Sequence, residues 1–468
     1  MVFSSPLFLF GFLPVVLALY FAMPVRAVNT IALVASVLFY AWGEPMFVLV
    51  AVGSAALDLV VVRLMVASPR PRVRGLLVGL GVAANLGLLA YFKYANFAYA
   101  NAELVLAGWF GIRLPPLPAI ALPIGVSFVV FEKITYIVDV YRGVGQPARR
   151  VRDYFLYVFL FPKLLAGPII KYHDIAGQLV DRPRRLDDVA AGLTRFAFGL
   201  AKKVLLADPM GELADMAFGG DVIGFRLAWL GIIAYALQIF FDFSGYSDMA
   251  IGLARMMGFR LMENFVRPYL AVGFGEFWRR WHISLSTWIR DYLYIPLGGD
   301  RVSTPRIYLN LWICFLASGL WHGAAWNFVL WGAYHGLFLT LDRLFLRRLL
   351  TRLPRVAGIG FTFLAVIIGW VLFRAPDARS AVAYYAAMIN PFAPHDLVLV
   401  TSDLYLTMAV GLAICFLPGL GGFERLHQRL RTGGQWQTIS MASAAGLLVL
   451  SIAKATTVAF HPFLYFRF

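Results

Sequence analysis

The chain has 468 residues, of which 61% are hydrophobic, 16% aromatic and only 14% charged. That leaves too little polar surface to coat a water-soluble globule of this size, and it excludes a disordered chain, a coiled coil, a collagen and a disulfide-stapled secreted domain. The net charge of +16, from 41 Lys and Arg against 25 Asp and Glu, would raise nucleic acid in a soluble protein; in a polytopic one it is a topology signal, and no nucleic-acid partner is expected.

Apolar runs follow at 7–22, 28–42, 46–66, 75–94, 119–138, 155–170, 191–207, 226–250, 308–342, 356–373, 404–418 and 438–458. At about 20 residues per crossing they predict an all-α, polytopic integral membrane protein with about 11–12 transmembrane helices plus re-entrant helices. The first 25 residues hold no charged side chain, so they lack the basic start of a cleavable signal and read as the first anchored span. The 155–170 run is basic on both flanks and contains Pro162, Gly167 and Pro168; it is expected to enter the membrane and return. The 308–342 run is too long for one span and predicts two helices meeting near Trp321–Asn327. Cys314 and Cys415 lie far apart inside apolar runs, which supports no disulfide, zinc site or cysteine nucleophile. No internal repeat stands out.

Arginines set the expected orientation. Arg26, the groups 63–74, 142–152 and 182–185, the long stretch 255–306, then 343–355 and 425–431 bring 28 arginines to loops on one side, against Arg113, Arg374 and Arg379 on the other. The crowded side is assigned to the cytoplasm, which puts the N-terminus outside. One outer loop carries Asp208, Glu212, Asp215 and Asp221.

Three stretches carry chemistry. Gly319–Gly323, GLWHG, places His322 at membrane depth, where an ionisable group needs a partner or a water-filled cavity and function is the default hypothesis. The alternative is a neutral histidine that only hydrogen-bonds a neighbouring helix. From Gly275 to Pro296 the chain reads GEFWRRWHISLSTWIRDYLYIP. Wound as one helix, Arg279, His282, Ser286 and Arg290 fall within an arc of about 80°. This is either an interfacial helix with arginines at lipid headgroups, or a re-entrant helix lining the cytoplasmic mouth of a cavity with His282 inside. In Phe240–Met249, Asp242 and Asp248 need partners, for which the arginines that follow are expected. Glu132 and Lys133 read as an internal pair; His335 and Asn327 are placed to orient His322; His173, His395, His427 and His461 lie near ends or loops and are set aside. There is no GxSxG, GxxxxGK[ST] or HExxH motif and no metal-spaced His/Cys cluster, so no metal is expected. Acyl transfer and proton-coupled transport remain open.

The residues resemble a known family, the membrane-bound O-acyltransferases, and within it the bacterial alginate O-acetyltransferase branch. The resemblance runs through the opening MVFSSPLFLFGFLP, YFKYANF (Tyr91–Phe97), LPIGVSF (Leu122–Phe128), YIVDVYRG (Tyr136–Gly143), FDFSGYSDMAIGL (Phe241–Leu253), FWRRWHISLSTWIRDYLYIPLGG (Phe277–Gly299) and GLWHG. It covers most of the first 375 residues; the last ninety or so match only as hydrophobic spans. It implies one membrane-embedded acyltransferase domain over 1–468, with N-terminal helices at 1–142, a catalytic core at 143–375 and C-terminal helices at 376–468. His322 matches the catalytic histidine and His282 the second polar residue; Trp281, Trp321, Arg279, Arg280, Arg290, Asp242 and Asn327 are tunnel candidates. His282 or a backbone amide near Gly323 is a candidate oxyanion donor. The implied reaction moves an acetyl group from acetyl-CoA, entering from the cytoplasm, toward an extracytoplasmic polysaccharide such as alginate, directly or through periplasmic or membrane-anchored acetyltransferase partners. Membrane lipids surround the protein, in a bacterial inner membrane. The rival readings are a proton-coupled transporter of a glycan or lipid, with Asp242, Asp248 and His322 as relay, and a scaffold for periplasmic enzymes.

Overall fold

Long apolar stretches with few prolines fold as helices because, away from water, each backbone N–H and C=O must be satisfied within its own segment. The computed structural model accordingly consists of helices joined by irregular links; it describes residues 1–220, 223–392, 399–432, 435–457 and 462–464. Among these residues seven helices are long and apolar enough to cross a membrane: Val25–Gly43, Phe47–Ala67, Pro71–Phe110, Phe225–Met256, Arg355–Arg374, Ser402–Gly419 and Gln435–Thr457. The difference from the expected 11–12 lies in helix length: Leu7–Ala22, Val126–Arg142, Leu186–Ala201 and Trp326–Leu341 are each 16 or 17 residues, just short of a full crossing, and the 155–170 run is broken up. The 155–170 run forms Val151–Phe159, breaks at Leu160 and continues as the single turn Phe161–Leu164 before a turn and an irregular link. The 308–342 run divides as expected, into Thr304–His322 and Trp326–Leu341.

The chain groups into two compact units, one of residues 1–192 and 253–261, the other of 193–252 and 262–468. In the first, buried charges are paired across helices. Lys133 lies 3.4 Å from Asp58, which also accepts from Asn85 (2.8 Å) and Tyr154 (2.9 Å). Glu132 pairs instead with Lys163 and accepts from the Ile170 amide at 3.2 Å. The expected Glu132–Lys133 pair therefore does not form, because adjacent residues on a helix point in different directions. His173 Nδ1 lies 2.8 Å from the Asp139 carboxylate.

In the second unit the two carboxylates of Phe240–Met249 are paired, with partners that precede them in the chain. Asp242 meets Lys203 at 2.7 Å and accepts from the Leu464 amide at 2.8 Å; Asp248 meets Arg195 at 2.8 Å and Lys202 at 2.6 Å. Expectation had named the arginines that follow. The helix Leu186–Ala201 and the turn Lys202–Ala207 supply the charges instead. Arg374 pairs with Asp215, joining two residues assigned to the same outer side. Asp221, His395 and His461 lie outside the described residues, as does the side chain of His427.

Candidate active site

The site lies wholly within the second unit and is built on the hairpin Thr304–His322/Trp326–Leu341. Two glycines let these helices touch. A Cβ on Gly319 would stand 2.3 Å from the Phe328 carbonyl oxygen, and one on Gly332 would stand 2.4 Å from that of Phe315. His322 is the last residue of the first helix and is 2% exposed. Its ring packs edge-on against Trp321 (4.9 Å between centroids), Trp331 (5.0 Å) and Phe373 (5.1 Å).

The tryptophan-rich stretch is not one helix. It forms Phe274–Arg280 and Ile283–Ile289, with Trp281 extended and His282 between them at φ 44°, ψ 55°. Backbone bonds to a neighbouring segment impose the break: Val266 N–H donates to the Arg280 carbonyl (2.9 Å) and Ile283 N–H to that of Asn264 (3.0 Å). The polar stripe drawn on a continuous helix is therefore divided. His282, fully buried, turns inward against Phe243 (4.6 Å) and Trp321 (6.0 Å). Trp321 thus has both imidazoles as ring neighbours.

Arg279, Ser286 and Arg290 face a different space, a cavity of about 830 Å³. Arg343, Arg347 and Arg348 from the end of the hairpin join them at its wall, with Asp342, whose carboxylate accepts from the Gly275 amide at 2.9 Å. Deeper in, the lining becomes Trp278, Leu285, Cys314, Phe315 and Ser318. Ser318 precedes His322 by one helical turn, about 6 Å along the axis. Trp278 meets Trp331 (5.7 Å), which meets His322. Along this aromatic layer the indole N–H groups of Trp278 and Trp331 and both ring nitrogens of His335 have no hydrogen-bond partner among the described residues.

The remaining candidates sit elsewhere. Trp281 is in an aromatic core with Phe265 (5.1 Å), Phe277 (5.6 Å) and Trp370 (5.1 Å). Arg280 pairs with Glu276. Asn327 donates to the Leu372 and Ala375 carbonyls (3.2 and 2.8 Å), and Asp242 is held by Lys203. The Gly323 amide donates to Gly319 at 3.2 Å, so it is engaged within the helix end. Sequence reasoning passed over Trp278, Ser318 and the Arg343–Arg348 group. The first two carry no signal beyond their neighbourhood to motifs, whereas the basic run had been read only as topology.

The geometry is thus a cavity lined by exposed arginines and by buried, mostly apolar side chains, among them Ser318 one turn before the buried His322, a lining suited to an anionic donor with an apolar or uncharged reactive end. Residues 151–374 match the membrane-bound O-acyltransferase family. The chain is 41% identical to "Probable alginate O-acetylase AlgI" of Pseudomonas putida over 495 residues, covering 100% of both. It is 46% identical to the protein of the same name in Pseudomonas aeruginosa over 391 residues, 83% of this chain and 75% of that one. It is also 35% identical to the peptidoglycan O-acetyltransferase of Helicobacter pylori over 427 residues, 83% of this chain and 80% of its relative. At such identity over the full length of both chains, this protein belongs to the membrane-bound O-acyltransferase family.

Proposed function

We propose that this protein transfers an acetyl group from cytoplasmic acetyl-CoA to hydroxyl groups of an extracytoplasmic polysaccharide of the alginate kind. The observation that carries the reading is the cavity of about 830 Å³, lined by five arginines and by Ser318, which precedes His322 by one helical turn. Arginine forks suit the phosphates of a nucleotide thioester, and the apolar depth suits a short acyl arm. The buried nitrogens of Trp278, Trp331 and His335 offer polar contacts to a thioester along the way to His322.

His322, neutral, takes the proton of the acceptor hydroxyl as that oxygen attacks the thioester carbonyl. The C–S bond breaks, the acetyl C–O bond forms, and the proton passes to the departing thiolate. A thioester is already activated, so holding both reactants beside one base in a dry site supplies much of the rate. His282 assists as the second imidazole. Delivery through a periplasmic or membrane-anchored partner, and an outward N-terminus, belong to the same reading.

The test is purified protein in liposomes with [¹⁴C]acetyl-CoA and alginate oligosaccharide. Label should move to the acceptor with release of free CoA, and His322→Ala should lower the rate at least 100-fold while the protein still accumulates in the membrane. An intact thioester with unmodified glycan carried across the bilayer would favour the transporter; undiminished transfer by His322→Ala would remove the base.

A further inference from the structure

Two donors and one ring nitrogen of His282 converge on a single amide oxygen. Asn264, 1% exposed, accepts at Oδ1 from the Ser284 backbone N–H (3.2 Å) and the Ser284 hydroxyl (2.9 Å), while its Nδ2 donates to Ser247 Oγ (3.1 Å). A backbone N–H only donates, so the amide atom facing it is the oxygen, and the orientation of the Asn264 side chain is fixed. His282 Nδ1 lies 3.2 Å from that same oxygen. Two lone pairs facing each other would repel, and the Ser284 hydroxyl, 3.4 Å from Nδ1, has its one hydrogen on Asn264 Oδ1 at 2.9 Å, so Nδ1 carries the hydrogen. In a neutral ring with Nδ1 protonated, Nε2 is the acceptor.

The main chain is held by the same residue. His282 sits in the left-handed region at φ 44°, a strained conformation for a non-glycine residue that persists only where its surroundings over-determine it. Asn264 supplies that restraint from both of its oxygens: the carbonyl holds Ile283 N–H at 3.0 Å and the side chain holds Ser284. One residue thus bends the chain at His282 and orients its ring.

We propose that Asn264 is a positioning residue that holds His282 as its Nδ1–H tautomer, making Nε2 a proton acceptor and removing the neutral ring from the candidates for oxyanion donor. The proposal rests on the reading of His282 as the second functional imidazole.

The direct test is nitrogen NMR of the full-length protein in lipid bilayers with ¹⁵N-labelled histidine, His282 being identified as the ring signal lost in His282→Gln. Wild type and Asn264→Asp should show a protonated Nδ1 and bare Nε2, and Asn264→Ala should shift the ring toward the Nε2–H form. A wild-type ring protonated at Nε2 overturns the proposal whether or not the protein transfers acetyl groups. Failure of the His322→Ala test instead overturns the reaction and leaves this measurement intact. Kinetically, Asn264→Ala should lower kcat about tenfold or more, with KM for acetyl-CoA within about twofold. Asn264→Asp, which keeps the acceptor, should restore most of the rate. It should move the acid limb of the pH profile upward, because a carboxylate at that position favours the imidazolium. A defect in Asn264→Asp as deep as that of Asn264→Ala, or a further tenfold loss when Asn264→Ala is added to His282→Gln, would show that Asn264 does not act through His282.

Discussion

At the scale of single residues, the wall of the cavity is held by exposed pairs whose worth lies in placement. Asp300 accepts from the Tyr294 hydroxyl (2.9 Å) and from Arg343 (3.0 Å), and Arg343 lines the cavity. The Tyr294 hydrogen bond first, and the Arg343 guanidinium with it, hold the Asp300 carboxyl below its usual range. A carboxylate depressed in this way contributes stability above its unfolded pKa of about 3.9, and that contribution is lost as pH falls through the lower folded value. The Asp300 side chain is 65% exposed, so the pair contributes less than about 1 kcal/mol. Asp300→Asn should therefore leave folding near neutral pH almost unchanged and raise KM for acetyl-CoA by up to about fivefold, because Arg343 loses its anchor. Initial rates against donor concentration check this; an unchanged KM with reduced kcat would contradict it.

At the scale of elements, the hairpin carrying His322 depends on backbone contact at its glycines. Small residues at helix interfaces let main chains approach closely in membrane proteins. Gly319→Ala would place a methyl group 2.3 Å from the Phe328 carbonyl and 3.2 Å from Gly332 Cα, and backbone atoms cannot yield as a flexible side chain would. The helices must separate, at a cost of about 1–3 kcal/mol, and His322, three residues on, moves with them. Detergent-solubilised Gly319→Ala should melt several degrees below wild type and lose most of its transfer activity. Gly360→Ala, where a Cβ meets nothing within 4 Å, serves as the control. Equal melting losses at the two positions would show that the close approach does not matter.

At the scale of the molecule, the arginine asymmetry makes a topological prediction. Ser303, exposed between the Arg290–Arg306 residues, should face the cytoplasm, and Pro376, exposed between Arg374 and Arg379, should face outside. Single cysteines at each site in a Cys314→Ala, Cys415→Ala background give the measurement: a membrane-impermeant maleimide applied to spheroplasts should label position 376 and reach 303 only after lysis. The reverse pattern would invert the orientation and put the cavity mouth on the wrong side for a cytoplasmic donor.

The all-helical membrane class was legible from continuous apolar runs, because in hydrocarbon such a run satisfies its backbone as a helix, whereas the strands of a closed barrel alternate apolar and polar residues. The hairpin break at Trp321–Asn327 and the burial of His322 were legible for a related reason, since run length and an isolated polar residue are properties of one segment. What lay beyond the sequence were relations between segments. No glycine or proline marks the break at His282; hydrogen bonds from Asn264 and Val266, more than a dozen residues upstream, create it. Asp242 and Asp248 announced that they needed cations, yet Lys203, Arg195 and Lys202 were chosen by helix packing. Segment physics fixed which residues had to be helical and which polar groups needed partners; only tertiary contacts, which join residues distant along the chain, decided which partners they found and which imidazole faced which wall.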